Sequence, residues 1–230
     1  MPGFFMAVHF GVPSPSASRQ VKPARPWRQP ASPGIIGSLL QRAIPPPHPI
    51  KDEAVHPRPD LLFIPDFLDE PDRHLRQLLE TVTWDTRMRA RRTASYGVAY
   101  NYSQIHYPAT PLPAWAQRLG DHMQPVIGFS ANNCLLNLYE DGQSSMGFHS
   151  DECEVLETGT GVAILSLGDS REIRFRSKAD REHEVTWTLP SGSLLYMDQA
   201  VQAHWLHAIP RTEAAGPRIS LTFRRLRAAP

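Results

Sequence analysis

The chain has 230 residues, enough for one domain plus a tail or at most two small domains. Hydrophobic residues make up 41%, which suffices for a sizeable core, yet no apolar run approaches the roughly 18 residues that a membrane-spanning helix needs. The formal charge of +1 excludes a globally basic protein, so any nucleic-acid affinity has to come from a local patch.

Residues 1–58 are rich in proline, serine and basic residues, with Pro45-Pro46-Pro47 near the end. Such a composition buries too little apolar surface to offset chain ordering, and a disordered tail is expected. The apolar Phe4–Val8 stretch has no basic segment before it, against a secretory signal. Arg19, Lys22, Arg25 and Arg28 precede the first acidic residue, Asp52, as in an organellar transit peptide, but the prolines oppose the amphipathic helix such a peptide needs. Two cysteines, Cys134 and Cys153, form no disulfide framework and suit a cytoplasmic protein. The expected state is a monomer; nothing in the sequence points to a protein partner or a membrane.

A folded domain over 59–230 opens with a short strand, Leu61-Leu62-Phe63-Ile64. Asp69 reads as an N-cap with Pro71 in the first turn. Leu75, Leu78, Leu79 and Val82 follow at helical spacing as one core-facing stripe. A second helix over 113–127 places Trp115, Leu119, Met123 and Val126 on one side. After Asn132, short β-branched and aromatic runs alternate with turn signals at Asp141-Gly142, Gly159-Thr160-Gly161, Gly168-Asp169 and Pro190-Ser191-Gly192. Several short strands at this spacing predict a β-sandwich or barrel.

Chemistry concentrates in the second half. His149-Ser150-Asp151 puts an imidazole and a carboxylate on the same face of an extended segment. Two histidines and one carboxylate are the facial triad that leaves open positions on non-haem iron(II). His183, His204 and His207 lie downstream, and spacing does not choose the third ligand among them. The stretch Arg218-Ile219-Ser220-Leu221-Thr222-Phe223-Arg224 alternates strictly, with Arg218, Ser220, Thr222 and Arg224 on one face. Two arginines there can each hold a carboxylate by bidentate hydrogen bonds. Asn137 and Tyr139 share a face in the same manner.

These motifs resemble the AlkB family of iron(II)- and 2-oxoglutarate-dependent dioxygenases. The resemblance rests on Asn137-Leu138-Tyr139-Glu140-Asp141-Gly142, His149-Ser150-Asp151, Leu165-Ser166-Leu167-Gly168, His204-Trp205-Leu206-His207 and Pro217–Arg224. Tyr100-Asn101-Tyr102-Ser103 is similar to the family's substrate-lid segment. The match covers roughly residues 60–227, with the motifs in family order. It implies an α+β domain built on a jelly-roll-like double-stranded β-helix with supporting helices. It assigns iron(II) to His149, Asp151 and His207, with O2 as co-reactant. It places Arg218 on the distal carboxylate of 2-oxoglutarate, assisted by Asn137 and Tyr139, and Arg224 near the carboxylate that chelates the metal. Ser220 stands where the family usually has asparagine.

The reaction so implied is oxidative dealkylation of alkylated DNA or RNA bases, releasing formaldehyde while 2-oxoglutarate becomes succinate and carbon dioxide. The alternative is a hydroxylase or demethylase of a protein or small molecule. A base within a duplex has to be extruded into the pocket, and aromatic rings stack on any base. Tyr96, Tyr100 and Tyr102 alternate on one side of an expected lid strand. Arg87-Met88-Arg89-Ala90-Arg91-Arg92 is the densest basic cluster, suited to phosphate contact or to a solvated loop. Cys153 occupies the position, two after the metal aspartate, where the family's nucleic-acid demethylases commonly carry an acidic base contact. It is a candidate substrate contact, packing residue or site of self-oxidation.

Overall fold

The computed structural model describes residues 57–102 and 105–227; the expected tail, apart from residues 57 and 58, lies outside the described residues. In chain order the elements are β1 (Leu61–Ile64), α1 (Pro71–Thr81), β2 (Arg92–Gly97), β3 (Tyr100–Tyr102), β4 (Ile105–Tyr107), α2 (Ala114–Ile127), β5 (Asn133–Tyr139) and β6 (Met146–His149). A 3-10 turn at Cys153–Val155 precedes β7 (Val162–Gly168), β8 (Arg171–Ser177), β9 (Glu184–Leu189), β10 (Leu194–Met197), α3 (Gln199–His204), β11 (Trp205–Ile209) and β12 (Arg218–Arg224). The strands form a six-stranded sheet ordered β1-β10-β7-β12-β5-β2, a four-stranded sheet ordered β6-β11-β8-β9, and the small hairpin β3-β4. All of the strand pairs are antiparallel. Two sheets meeting over a shared interior form the expected double-stranded β-helix. No helix among the described residues is long and apolar enough to cross a membrane.

Strict alternation in β12 gives the larger sheet its two faces. Ile219, Leu221 and Phe223 pack with Cys134, Leu136 and Leu138 of β5 and Leu165 and Leu167 of β7 against the helices. Their neighbours in sequence, Arg218, Ser220, Thr222 and Arg224, turn toward the smaller sheet and are buried as well. A strand covered on both sides reads as continuous burial, and the polar residues within it have to find partners or ligands. Each large apolar side chain so buried contributes about 1.5–3 kcal/mol.

The helices differ from expectation in detail. Glu70, not Asp69, is the N-cap of α1; it sits at φ 49° and makes no side-chain capping bond, while Pro71 starts the helix. Leu78 and Val82 are buried and Leu75 packs against the core, but Leu79 is 36% exposed. In α2, Leu119 and Met123 are buried, Ile127 replaces Val126 in the core, and Val126 is 39% exposed. Residues at the margin of a helical stripe lie about 50° from its centre, so which margin is covered depends on the sheet beneath.

Candidate active site

The interior face of β12 and that of β5 form one wall of a cavity. Leu135, Asn137 and Tyr139 come from β5, and Arg218, Ser220, Thr222 and Arg224 from β12. Pairing is in register: Arg218 faces Tyr139, Ser220 faces Asn137 and Thr222 faces Leu135. The opposite wall comes from the smaller sheet, with Met146 and His149 of β6, Ile173 of β8, and His207 and Ile209 of β11; Asp151 lines the same cavity just after β6. His149 and His207 are direct cross-strand partners, and the register slips between His207 and Ile209. Such irregularities re-aim side chains beside functional sites.

Of the downstream histidines, the structure brings His207 to the cavity. Its ring centroid lies 4.3 Å from that of His149. His183 instead stacks near Trp205, with ring centroids 5.6 Å apart, and its Nε2 lies 2.7 Å from the Pro57 carbonyl. His204 ends α3. Nδ1 of His149 lies 3.0 Å from the Gly147 carbonyl, which can only accept, so Nδ1 carries a proton and Nε2 is the nitrogen left for a ligand. Burial, reinforced by His149, pushes the His207 pKa down to about 3 although Asp151 opposes this, so the ring is neutral near pH 7. Burial by itself pushes the Asp151 carboxyl up, but Arg224 together with the two imidazoles outweighs it, leaving the pKa lowered and the carboxylate ionised.

Two imidazoles and an ionised carboxylate suit a divalent metal ion. Among the described residues, however, no three metal-ligating side chains stand as a finished cage. The Asp151 carboxylate is engaged by Arg224, whose Nη2 donates to Oδ1 at 2.9 Å and Oδ2 at 3.1 Å. Ligation therefore requires Asp151 to share or leave that ion pair. Its backbone is already fixed: Asp151 N donates to Oε1 of the buried Gln202 at 2.9 Å. Lys178 Nζ bonds the intervening Ser150 Oγ at 2.9 Å and the Gln202 carbonyl at 2.7 Å.

The far end of β12 carries a different signature. Arg218 is 1% exposed, and Nη2 donates to Ser166 Oγ at 2.9 Å. Its Nε and Nη1 are buried without a partner, as is the Tyr139 hydroxyl. A buried guanidinium with unused donors is costly unless an anion completes it. The donor fork matches a carboxylate, so this end fits the distal carboxylate of 2-oxoglutarate. Behind Tyr139, Arg171 is buried and bonds the carbonyls of Asp141, Ser144 and Pro210, with its guanidinium carbon 5.6 Å from the Tyr139 ring centroid.

The expected substrate contacts separate. Tyr100 is buried in the interior cluster, with the Arg224 guanidinium carbon 5.0 Å from its ring centroid. Tyr102 ends β3 opposite Ile105, and its side chain lies outside the described residues. Tyr96 corrects the expectation of a single three-tyrosine face. It packs edge-on against Trp115 of α2, with ring centroids 5.8 Å apart, on the helix side of the larger sheet. The cause is Gly97, at φ 94°, where a Cβ would lie 2.0 Å from the Asn132 carbonyl oxygen. The chain ends β2 there and begins a separate hairpin. Cys153 is also placed differently: its thiol lies 3.7 Å from the Gln199 carbonyl at the start of α3, and it does not line the cavity. Within the basic cluster, Arg87 pairs with Asp85, Arg92 pairs with Glu140, and Arg91 is buried.

Sequence reading missed Gln202, Arg171 and Lys178 as supports of the site. Gln202 carried no local signal, and Arg171 and Lys178 stand in a strand region dense with other charges.

The chain matches the model of the 2OG-Fe(II) oxygenase superfamily over residues 61–224. Mouse alpha-ketoglutarate-dependent dioxygenase alkB homolog 3 is 32% identical over 217 residues, covering 81% of this chain and 75% of that protein. Human DNA oxidative demethylase ALKBH2 is 34% identical over 147 residues, covering 59% of this chain and 56% of that protein, so this chain spans little more than half of that relative. Among solved structures, OsALKBH1 superposes with a TM-score of 0.58 at 19% identity, covering 74% of this chain and all of that one, a likeness of fold. Sequence, fold and the donor set of the cavity therefore agree, and the chain belongs to the 2OG-Fe(II) oxygenase superfamily as a member of its AlkB-like family.

Proposed function

We propose that this protein is an iron(II)- and 2-oxoglutarate-dependent dioxygenase that oxidatively dealkylates bases in DNA or RNA. The observation that carries the reading is Arg218, a fully buried cation with two unpartnered donor nitrogens at one end of a cavity whose other end holds His149, Asp151 and His207. When bound, iron(II) with 2-oxoglutarate and O2 supplies the oxidising power to hydroxylate an N-alkyl carbon, after which formaldehyde leaves from an N-methyl group.

The residues divide the work. His149, Asp151 and His207 would hold the metal through one imidazole nitrogen each and a carboxylate oxygen. Arg218 would bind the distal carboxylate of the cosubstrate, with the Tyr139 hydroxyl beside it. Asn137 and Ser220 line the wall between the two ends. Arg224 keeps Asp151 ionised and reaches the Tyr100 ring. Ile164, Ile173 and Ile209 exclude water from the interior. Tyr100 and Tyr102 lie on the β3-β4 hairpin, which we read as the lid over the base. The names of the mouse and human relatives support an alkylated nucleic-acid substrate. Two free thiols, Cys134 and Cys153, support a reducing, cytoplasmic setting.

The test is incubation with iron(II), 2-oxoglutarate and oligonucleotides carrying 1-methyladenine or 3-methylcytosine, single- and double-stranded, as DNA and RNA. Release of formaldehyde and succinate dependent on the methylated base is expected. Succinate formed at the same rate without any oligonucleotide, and no formaldehyde with any of them, would refute the nucleic-acid reading in favour of another substrate class.

A further inference from the structure

Arg91 stands in the densest basic run of the sequence, but the structure takes it out of solvent at 7% exposure. Its Nε donates to Asn137 Oδ1 at 2.8 Å and its Nη1 to the Ser145 carbonyl at 3.1 Å. Ser145 N in turn donates to the Ala90 carbonyl at 3.1 Å. Arg91 is thus fixed both to a cavity-facing side chain of β5 and to the residue immediately before β6, the strand that carries His149.

We propose that Arg91 is a positioning residue for the cosubstrate, fixing the Asn137 amide so that its NH2 group, and not its carbonyl, faces the cavity. A guanidinium has five N–H donors and no acceptor, so the amide atom it contacts has to be oxygen. This removes the ordinary ambiguity between the two ends of an asparagine amide. Nδ2 is then the atom left for the cavity that Asn137 lines. The same wall carries the unused Nε and Nη1 of Arg218, on the strand that pairs with β5. A dicarboxylate presents only acceptors. An amide turned the other way would set a carbonyl oxygen against a carboxylate, losing one hydrogen bond and adding repulsion. The inference rests on reading this cavity as the 2-oxoglutarate site.

The experiment titrates 2-oxoglutarate into protein loaded with Mn(II), a redox-inert stand-in for iron(II), by calorimetry. The proteins are wild type, Arg91→Met, Asn137→Ala, the double variant and Asn137→Asp. Arg91→Met is expected to weaken 2-oxoglutarate binding about tenfold, as is Asn137→Ala, and the double variant to bind no worse than Asn137→Ala by itself, because both changes remove one interaction. In turnover, Arg91→Met should raise the KM for 2-oxoglutarate with kcat nearly unchanged. Asn137→Asp keeps an acceptor for Arg91 but puts a carboxylate oxygen into the cavity; it should fold with a Tm near wild type and bind more than tenfold worse. Independent, additive losses in the double variant, or an unchanged affinity with only a lowered Tm in Arg91→Met, would overturn the proposal. If Arg91→Met does not fold, Asn137→Asp decides, and wild-type affinity there overturns it. Wild-type protein that binds no 2-oxoglutarate would sink the cavity reading and this inference together; wild-type binding matched by all variants would sink the inference only.

Discussion

Replacing Arg218 by methionine should make the ligand-free protein more stable and its cosubstrate binding far weaker. Arg218 is 1% exposed, with Nε and Nη1 buried and unpartnered. Burial lowers its pKa, against the opposing effect of Tyr139 and with Arg171 adding to the depression, which shows that the charge is held at a cost. Each unmet buried donor costs about 1–3 kcal/mol, and the Ser166 hydrogen bond returns about 1 kcal/mol. A methionine, unbranched and apolar but shorter, removes the charge and keeps the packing of the arginine's stem, as when buried ionic groups are exchanged for apolar ones with a gain of about 1–4 kcal/mol. For a domain of this size that corresponds to a Tm increase of at least about 3 °C. Two charge-assisted bonds to a carboxylate are worth about 3–6 kcal/mol, so 2-oxoglutarate affinity should fall at least about a hundredfold. Thermal unfolding of the metal-free, cosubstrate-free protein gives the first quantity and calorimetric titration of the Mn(II) form the second. A destabilised variant whose 2-oxoglutarate affinity stays within about threefold of wild type would refute the reasoning.

Other expectations follow from the same geometry. His207 is held neutral in the fold, with its pKa pushed down to about 3, while its unfolded value lies near 6.5. The unfolded chain therefore binds the extra proton, and the metal-free protein should lose roughly 1.4 kcal/mol per pH unit as pH falls below 6.5. Asp151, also lowered, adds to the loss only below about pH 4. His207→Gln should flatten the slope between pH 6 and 5, and an equally steep curve in that variant would contradict the assignment. Asp151→Ala removes the carboxylate that Arg224 holds by two hydrogen bonds; denaturant unfolding should show a loss of about 3–5 kcal/mol, together with abolished Mn(II) binding. Tyr96→Ala should cost about 2–3 kcal/mol of stability through its contact with Trp115 while leaving the KM for methylated oligonucleotide unchanged. Tyr100→Ala should raise that KM by one to two orders of magnitude, the loss of a stacking partner worth about 1–3 kcal/mol. Equal effects of the two tyrosines on KM would contradict their separation by Gly97.

Much of the larger sheet was legible because alternation is local. Residues two apart on a strand share a face whatever the rest of the chain does, so Arg218, Ser220, Thr222 and Arg224 could be grouped without coordinates. The opposite set, Ile219, Leu221 and Phe223, follows from the same period. Helix positions were readable for the centre of each stripe, Leu78 in α1 and Met123 in α2, but not for its margins at Leu79 and Val126. Tyr96 shows where the same logic failed. Its spacing from Tyr100 suggests a common face, but one left-handed glycine at Gly97 redirects the chain and separates the two rings. Arg91 failed for another reason: a basic run reads as a solvated surface, and only the position of Asn137, 46 residues away, shows what one member bonds.

The sequence determined by itself that this chain alternates into a sandwich-like domain, that a histidine and a carboxylate two apart share one face, and that two arginines end one polar face of a strand. Those are statements about neighbours, and the period of an extended backbone sets them. Which downstream histidine meets His149, whether Arg218 faces solvent or an enclosed cavity, and what holds the Asp151 carboxylate are statements about residues far apart in the chain. The tertiary structure decided them: β6 and β11 bring His149 and His207 opposite each other, and closure of the smaller sheet over β12 turns a polar face into a buried one. Arginines that water would otherwise satisfy then require a carboxylate, from Asp151 at one end and from a ligand at the other.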